Sequence, residues 1–167
     1  MTNPLPENIN IIDIEASGLR SDSYPIEIAI LVDGKKHVWL IKPEDHWTYW
    51  SDDAQDLHGI SLKMLQREGL PVATVADELN RAVSASNGLL HSDAVRWDSG
   101  WINTLYDAAN MRMNFKVVSI YDLLSENQSL KFDNERSKLA NSGRYDLHKA
   151  EEDVSLIYDA YLNTVRL

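Results

Sequence analysis

The sequence lacks cysteine, has few basic side chains and contains no long apolar run. The absence of cysteine excludes a disulfide framework and any thiolate metal site. Sixteen Lys and Arg against 26 Asp and Glu give a net charge of −10, which argues against broad capture of duplex nucleic acid but not against acids that hold metal ions. No apolar run approaches the roughly 18 residues of a membrane helix. The first seven residues lack the features of a signal peptide, so we expect a cytoplasmic protein without a membrane partner.

The pattern of the chain predicts an α/β fold in one domain, residues 1–167. A length of 167 residues with 44% hydrophobic side chains suits a single core, and no repeat or linker divides the sequence. Asp33-Gly34 between two apolar runs predicts a hairpin turn. The predicted strands are 9–15, 25–32, 37–41, 88–91 and 116–119. The predicted helices are 51–57, 61–67, 72–85, 98–111, 120–125, 131–141 and 149–164. This order predicts a mixed central sheet flanked by helices.

Two acids in the first predicted strand are the first candidate site. Side chains alternate along a strand, so Asp13 and Glu15 point to the same face. Neighbouring carboxylates repel each other unless a cation neutralises them, and oxygen ligands suit Mg²⁺ or Mn²⁺. The alternative is a pair of solvated acids on an exposed face.

Two later segments also carry acids that lean toward the packed side. Asp153 lies on or beside the apolar stripe of the last predicted helix, and His148 lies at its entrance. Asp98 shares a helix face with Trp101, Ile102 and Leu105. The alternatives are a solvated helix start with an incidental histidine and, for Asp98, an ordinary helix cap.

Together these segments resemble the DEDDh group of DnaQ-like 3′→5′ exonucleases, which have an RNase H-like fold. The stretch 13–19, Asp-Ile-Glu-Ala-Ser-Gly-Leu, is similar to the first family motif. Asp98 after Trp97 resembles the second, and His148-x-Ala150-x-x-Asp153 resembles the third in its histidine branch. The stretch 58–61, His-Gly-Ile-Ser, is similar to a His-Gly-Ile-Thr segment of the family.

The second motif departs from the family pattern. The family often has His-Asn-x-x-Phe-Asp, whereas here His91 precedes Asp98 by two residues more and the Asn is absent. Asp93 is therefore an alternative to Asp98 for the metal-side role.

The resemblance implies the chemistry of the site. Two divalent ions, Mg²⁺ or Mn²⁺, would be held by Asp13, Glu15, Asp98 and Asp153, with His148 as the general base. The substrate would be the 3′ end of single-stranded DNA or RNA, and the product a nucleoside 5′-monophosphate. The resemblance also places Ala16, Ser17 and Leu19 against the terminal nucleotide and makes a homodimer an expectation.

Aromatic and basic side chains add further expectations. Trp97, Trp47 and Trp50 are candidate stacking surfaces, whereas core packing is favoured for Trp39 and Trp101. A local basic surplus before the third motif either contacts phosphates or is ordinary surface charge; it comprises Lys131, Arg136, Lys138, Arg144 and Lys149.

Two other functions remain open at this stage. One is a catalytically silent module that binds nucleic-acid ends on the same fold, which should have lost a motif residue. The other is an endonuclease of the RNase H kind, against which the segment 17–19 and His148 argue.

Overall fold

A computed structural model describes residues 6–166, and its centre is a five-stranded mixed sheet. The strands are β1 (Ile11–Ala16), β2 (Pro25–Val32), β3 (Lys35–Leu40), β4 (Leu89–Ser92) and β5 (Lys116–Ser119). They lie in the order β3-β2-β1-β4-β5. β1 pairs with β2 in antiparallel and with β4 in parallel orientation, so the first motif lies on the central strand.

Helices cover both faces of this sheet. They are α1 (Asp52–His58), α2 (Leu62–Glu68), α3 (Val72–Val83), α4 (Val95–Ala109), α5 (Glu126–Ala140) and α6 (Ala150–Val165), with a 3-10 turn at Ile120–Leu123. Apolar side chains of α3 and α4 pack with Ile12 and Ile14 of β1. Those of α5 and α6 pack with Ile11, which shares its face with Asp13 and Glu15. The carboxylates of β1 therefore lie on the face that α6 covers.

The predicted hairpin is confirmed. Asp33 and Gly34 both have positive φ, at 49° and 77°, as a tight turn between antiparallel strands requires. The pairing of β2 with β3 then runs without interruption from Val32 opposite Lys35 to Glu27 opposite Leu40.

Two helices begin earlier than the sequence predicts. α4 begins at Val95 instead of Asp98, which places Asp98 inside the first helical turn. α5 begins at Glu126 instead of residue 131, because Ser125 and Gln128 form a reciprocal capping box. The remaining differences at element ends are a few residues or less.

The start of the chain, on which the expectation of no signal peptide rests, lies mostly outside the described residues. Within residues 6–166, none of the helices combines the length and apolarity needed to span a bilayer.

Candidate active site

The fold brings the first and third motifs into contact. The carboxylate of Glu15, near the end of β1, lies close to that of Asp153 in the first turn of α6. Ligand atoms of Glu15, Asp153 and His148 lie within 4.8 Å of one another. The grouping combines one strand with the entrance of a helix that begins 135 residues further along the chain, at Ala150.

His148 has an unusual backbone. Its φ is +63°, in the left-handed region that is uncommon for residues other than glycine, although asparagine, aspartate and histidine adopt it more often than the rest. His148 is exposed, and its imidazole lies close to the carboxylates of Glu15 and Asp153. Such strained backbone persists where the surroundings fix it and is common at functional sites.

Asp98 reaches the same cluster from α4. It is buried, and its Oδ2 accepts a hydrogen bond of 2.6 Å from Ser92 Oγ at the end of β4. Ser92 Oγ in turn accepts from the backbone N–H of Ala94 at 2.9 Å. Among the charged neighbours that raise the pKa of Asp13, Asp98 has the largest effect.

Asp93, the alternative for the second motif, also lies near the cluster but has a partner of its own. Its carboxylate forms an ion pair with Arg136 of α5. Asp93 also raises the pKa of Asp13, although less than Asp98 does. Its charge is thus balanced by a fixed guanidinium, unlike that of Asp98.

The crowded carboxylates take up protons more readily than usual. Burial, and then the charges of Asp153 and Glu27, raise the pKa of Glu15 to about 8. Burial also raises the pKa of Asp98 to about 8, against the effect of the Ser92 hydrogen bond. The pKa of Asp153 rises to about 6 through burial, opposed by His148. Burial together with Asp98 raises the pKa of Asp13 well above its ordinary value. A nearby cation would reverse these shifts.

An unpartnered oxygen tests whether these residues fit a metal. Asp13 Oδ2 is shielded from solvent and finds no hydrogen-bond partner within residues 6–166. A buried polar atom without a partner is costly, and a carboxylate oxygen is a preferred ligand of Mg²⁺ and Mn²⁺. The chemistry of this donor therefore fits a hard divalent cation. The charges of Asp153 and Glu15 act on Asp13, and the ligand atoms of Glu15, His148 and Asp153 lie within 4.8 Å of one another.

A cavity of about 420 Å³ opens beside the acids. Glu15, His148, Ala16 and Leu19 line it. Leu19 is 69% exposed. The other lining residues are Ile14, Gly18, Arg20, Tyr49, Ser51, Asp53, Ala54, Leu57, His58 and Trp101. The cavity surface is thus mostly apolar, and it includes one site acid, Glu15, and the imidazole of His148.

Ser17 lies inside the protein instead of at the cavity surface. It is fully buried, and its Oγ accepts a hydrogen bond of 3.1 Å from the backbone N–H of Tyr24. Its backbone carbonyl accepts from the N–H of Ser51. Ser17 fastens the end of β1 to two loops, so we leave its hydroxyl out of the substrate-binding set.

The five tryptophans have different surroundings. Trp39 is buried in the core, as expected. Trp101 packs against the core and also lines the cavity, and Trp97 stacks on it at 5.6 Å with 40% of its surface exposed. Trp47 stacks on Tyr24, and Trp50 Nε1 donates to Gln55 Oε1, so both rings already have partners within the chain.

Several site residues have no role in the sequence analysis. His58 is buried at the cavity wall, where its Nδ1 accepts from the N–H of Ile60. The guanidinium of Arg20 lies 4.2 Å from the ring centroid of Tyr49. A Cβ on Gly18 would lie 2.5 Å from Tyr49 Cε1, so the motif glycine allows this ring to close on the strand end. The resemblance of the stretch 58–61 to a family segment could have pointed to His58 as a site residue. Nothing in the sequence pointed to Arg20 or Tyr49.

The basic surplus before the third motif is largely engaged within the chain. Arg136 pairs with Asp93, Lys138 with Glu135 and Lys149 with Asp146. Lys131 Nζ donates to the carbonyl of Thr164. These contacts favour ordinary surface and structural roles over a phosphate-binding patch.

Comparison with known proteins shows the fold. No family model and no curated protein matches the sequence. Escherichia coli Exonuclease I in complex with a dA16 oligonucleotide matches with a TM-score of 0.73 and 14% identity, over 94% of this chain and 41% of that one. The zinc-bound form of the E. coli ExoI–ssDNA complex gives 0.71, with 16% identity over 94% and 40%. Exonuclease I from Methylocaldum szegediense gives 0.70, also with 16% identity over 94% and 40%.

The chain therefore spans about two fifths of the length of those proteins. The match confirms the predicted fold class, a mixed sheet flanked by helices as in exonuclease I.

Proposed function

We propose that this protein is a metal-dependent 3′→5′ exonuclease that hydrolyses single-stranded nucleic acid and releases nucleoside 5′-monophosphates. The observation that carries the proposal is the clustering of four acids, Asp13, Glu15, Asp98 and Asp153, of which Glu15 lines the cavity together with His148. Burial raises the pKa of each of these acids, and the charges of Asp98, Asp153 and Glu15 raise that of Asp13 further, so the ionised cluster is poorly stable without cations. Likeness to the exonuclease I fold supports the same reaction class.

In this proposal the four carboxylates hold two divalent ions, Mg²⁺ or Mn²⁺. Four negative charges and two divalent cations cancel formally, so an acidic protein can accept a phosphodiester here. Bound ions would lower the pKa of an attacking water and stabilise charge on the leaving 3′ oxygen. His148, exposed at the cavity mouth and next to Glu15 and Asp153, accepts the proton of that water.

The cavity supplies the contact with the strand end. Leu19 and Leu57 present exposed apolar surface at 69% and 62%, and Trp101 adds an aromatic wall. Bases pack on such surfaces without regard to sequence. Ala16 lines the cavity next to Glu15 in the sequence, which suits contact with the terminal sugar. Trp97 stacks on Trp101 and acts by supporting that wall.

The same fold could instead serve as a silent end-binding module. The orphaned oxygen of Asp13 and the strained backbone of His148 disfavour that alternative, since a module that only binds ends needs neither.

The test uses a 5′-labelled single strand in DNA and RNA versions, with Mn²⁺, Mg²⁺ or EDTA. We expect a metal-dependent ladder that shortens from the 3′ end, and the faster strand identifies the preferred sugar. A circular single strand should stay intact. If every linear strand survives with every metal, the proposal is wrong and the silent module replaces it. Cleavage of the circle would indicate an endonuclease.

A further inference from the structure

Glu27 of β2 lies next to the proposed metal site but belongs to none of the motifs. It is directly opposite Glu15 in the pairing of β1 with β2, so the two side chains lie on the same face of the sheet. Glu27 Oε1 accepts a hydrogen bond of 2.8 Å from the backbone N–H of Ala150, the first residue of α6. The carboxylate thus links the central strands to the helix that carries Asp153.

This hydrogen bond replaces a missing local cap. The first N–H groups of a helix have no partner within the helix, and the residue before it usually supplies one. At α6 that residue is Lys149, whose side chain makes no capping bond and instead pairs with Asp146 at 2.8 Å. Glu27, 123 residues earlier in the sequence, caps the helix from another part of the fold. The positive end of the helix dipole favours an acid at this place.

The entrance of α6 consequently meets the sheet at two neighbouring points. Glu27 accepts from the N–H of Ala150, and one turn later the carboxylate of Asp153 lies close to that of Glu15. His148 precedes this turn in a left-handed conformation that costs about 1–2 kcal/mol. Such a conformation requires that its surroundings be fixed.

We propose that Glu27 is a positioning residue that fixes the first turn of α6, so that Asp153 and His148 face Glu15. The inference rests on the proposed function, because the groups that Glu27 aligns are the proposed metal ligands and base. Glu27 itself contacts the backbone of Ala150 and acts through it.

Three substitutions of Glu27 separate the effect of its side-chain length from the effect of its charge. Glu27→Ala removes the acceptor, Glu27→Gln keeps an acceptor oxygen at full reach without the charge, and Glu27→Asp keeps the charge on a shorter side chain. Glu151→Ala is the matched control, since it removes an exposed carboxylate from the same helical turn. Each protein is checked for folding, and then its Mn²⁺ affinity is measured by calorimetry and its kcat and KM on the 5′-labelled strand.

For Glu27→Ala we expect Mn²⁺ affinity and kcat to fall by about 10–100-fold, the usual effect of losing an outer-sphere partner, with KM for the strand nearly unchanged. Glu27→Gln should stay within about threefold of the original protein, because most of the loss comes from the missing acceptor. Glu27→Asp should fall between the two, and Glu151→Ala should match the original protein.

The inference is overturned if Glu27→Ala behaves like Glu151→Ala in an active protein, or if Glu27→Gln falls below Glu27→Asp. If the alanine variant does not fold, the comparison of Glu27→Gln with Glu27→Asp in Mn²⁺ affinity and kcat still tests the inference. An original protein that neither binds Mn²⁺ nor cleaves a strand would instead refute the proposed function, a result distinct from either of these.

Discussion

Ser92 Oγ donates a hydrogen bond of 2.6 Å to Asp98 Oδ2, and both residues are buried at the junction of β4 and α4. The hydroxyl of Ser92 is fixed by the backbone N–H of Ala94, so the Asp98 carboxylate has a defined orientation before any cation binds. Asp93, by contrast, is oriented by Arg136.

This difference predicts which acid serves the second motif. Asp98→Asn keeps an acceptor for Ser92 but removes a ligand charge, so cleavage should fall by more than about 100-fold, beyond the usual effect of an outer-sphere change. Asp93→Asn weakens the pair with Arg136 and removes a nearby charge, but it takes no ligand from the proposed metal site, so cleavage should stay within about tenfold. Single-turnover cleavage with Mn²⁺ compares the two. An inactive Asp93→Asn beside an active Asp98→Asn would transfer the role to Asp93.

The sequence predicts those parts of the site that depend on local periodicity. Alternation along β1 places Asp13 and Glu15 on one face, and the stripe on the last helix places Asp153 toward the core. The resemblance predicts that the first and third motifs lie together. In the structure Glu15, on the central strand, lies close enough to Asp153 for that charge to raise its pKa.

Three features of the site could not be predicted from the sequence, because they depend on contacts between residues far apart in the chain or on where a helix begins. Nothing near Glu27 in its apolar strand indicates that its partner is Ala150. Ser17 looks like an exposed motif residue, yet its hydroxyl is taken by Tyr24 from the next strand region. The sequence predicts Asp98 as the first residue of α4, but Asp98 lies within the first turn, because the helix begins earlier, after Ala94. Alanine is a poor capping residue, so nothing in the sequence signals this start. The nearby hydroxyl of Ser92 donates to Asp98.

The metal-free protein should lose stability as pH rises. Glu15 and Asp98 have a pKa of about 8 and Asp153 of about 6 in the folded state, whereas unfolded carboxyls titrate near 4. Between about pH 4 and 8 the folded state therefore binds more protons than the unfolded state, and the free energy of unfolding falls with pH.

Thermal unfolding in EDTA between pH 5.5 and 8.5 measures this effect, since each kcal/mol lost lowers the Tm by about 2–4 °C in a domain of this size. We expect a fall of several degrees, a shallower slope in Glu15→Gln, and a rise in Tm at high pH when Mn²⁺ replaces EDTA. A Tm that is independent of pH and of Mn²⁺ would mean that the acids do not form the coupled cluster described.

Substitutions of His148 should separate its imidazole from its backbone. His148→Ala and His148→Asn should both lower kcat by about 10²–10⁴-fold, the usual range for a lost general base. Asparagine tolerates the left-handed backbone better than alanine does, so His148→Asn should be the more stable of the two. Timed cleavage assays measure kcat, calorimetric titration measures the affinity for Mn²⁺, and thermal unfolding measures the stability of each variant. Retained kcat would place the base elsewhere, and a large loss of Mn²⁺ affinity would make His148 a ligand.

Asp13→Asn should stop cleavage and yet stabilise the metal-free protein. Asp13 is crowded by Asp98, Asp153 and Glu15, and its Oδ2 has no hydrogen-bond partner among residues 6–166, so removing its charge relieves repulsion. In EDTA at pH 8 the variant should therefore unfold at a higher Tm than the original protein, whereas added Mn²⁺ should stabilise it less. Asp107→Asn, at an exposed position of α4, is the matched control and should change neither property.

If Asp13→Asn retained most of the activity, the assignment of Asp13 as a metal ligand would be wrong. A lower Tm in EDTA would show that the carboxylate stabilises the fold without a cation.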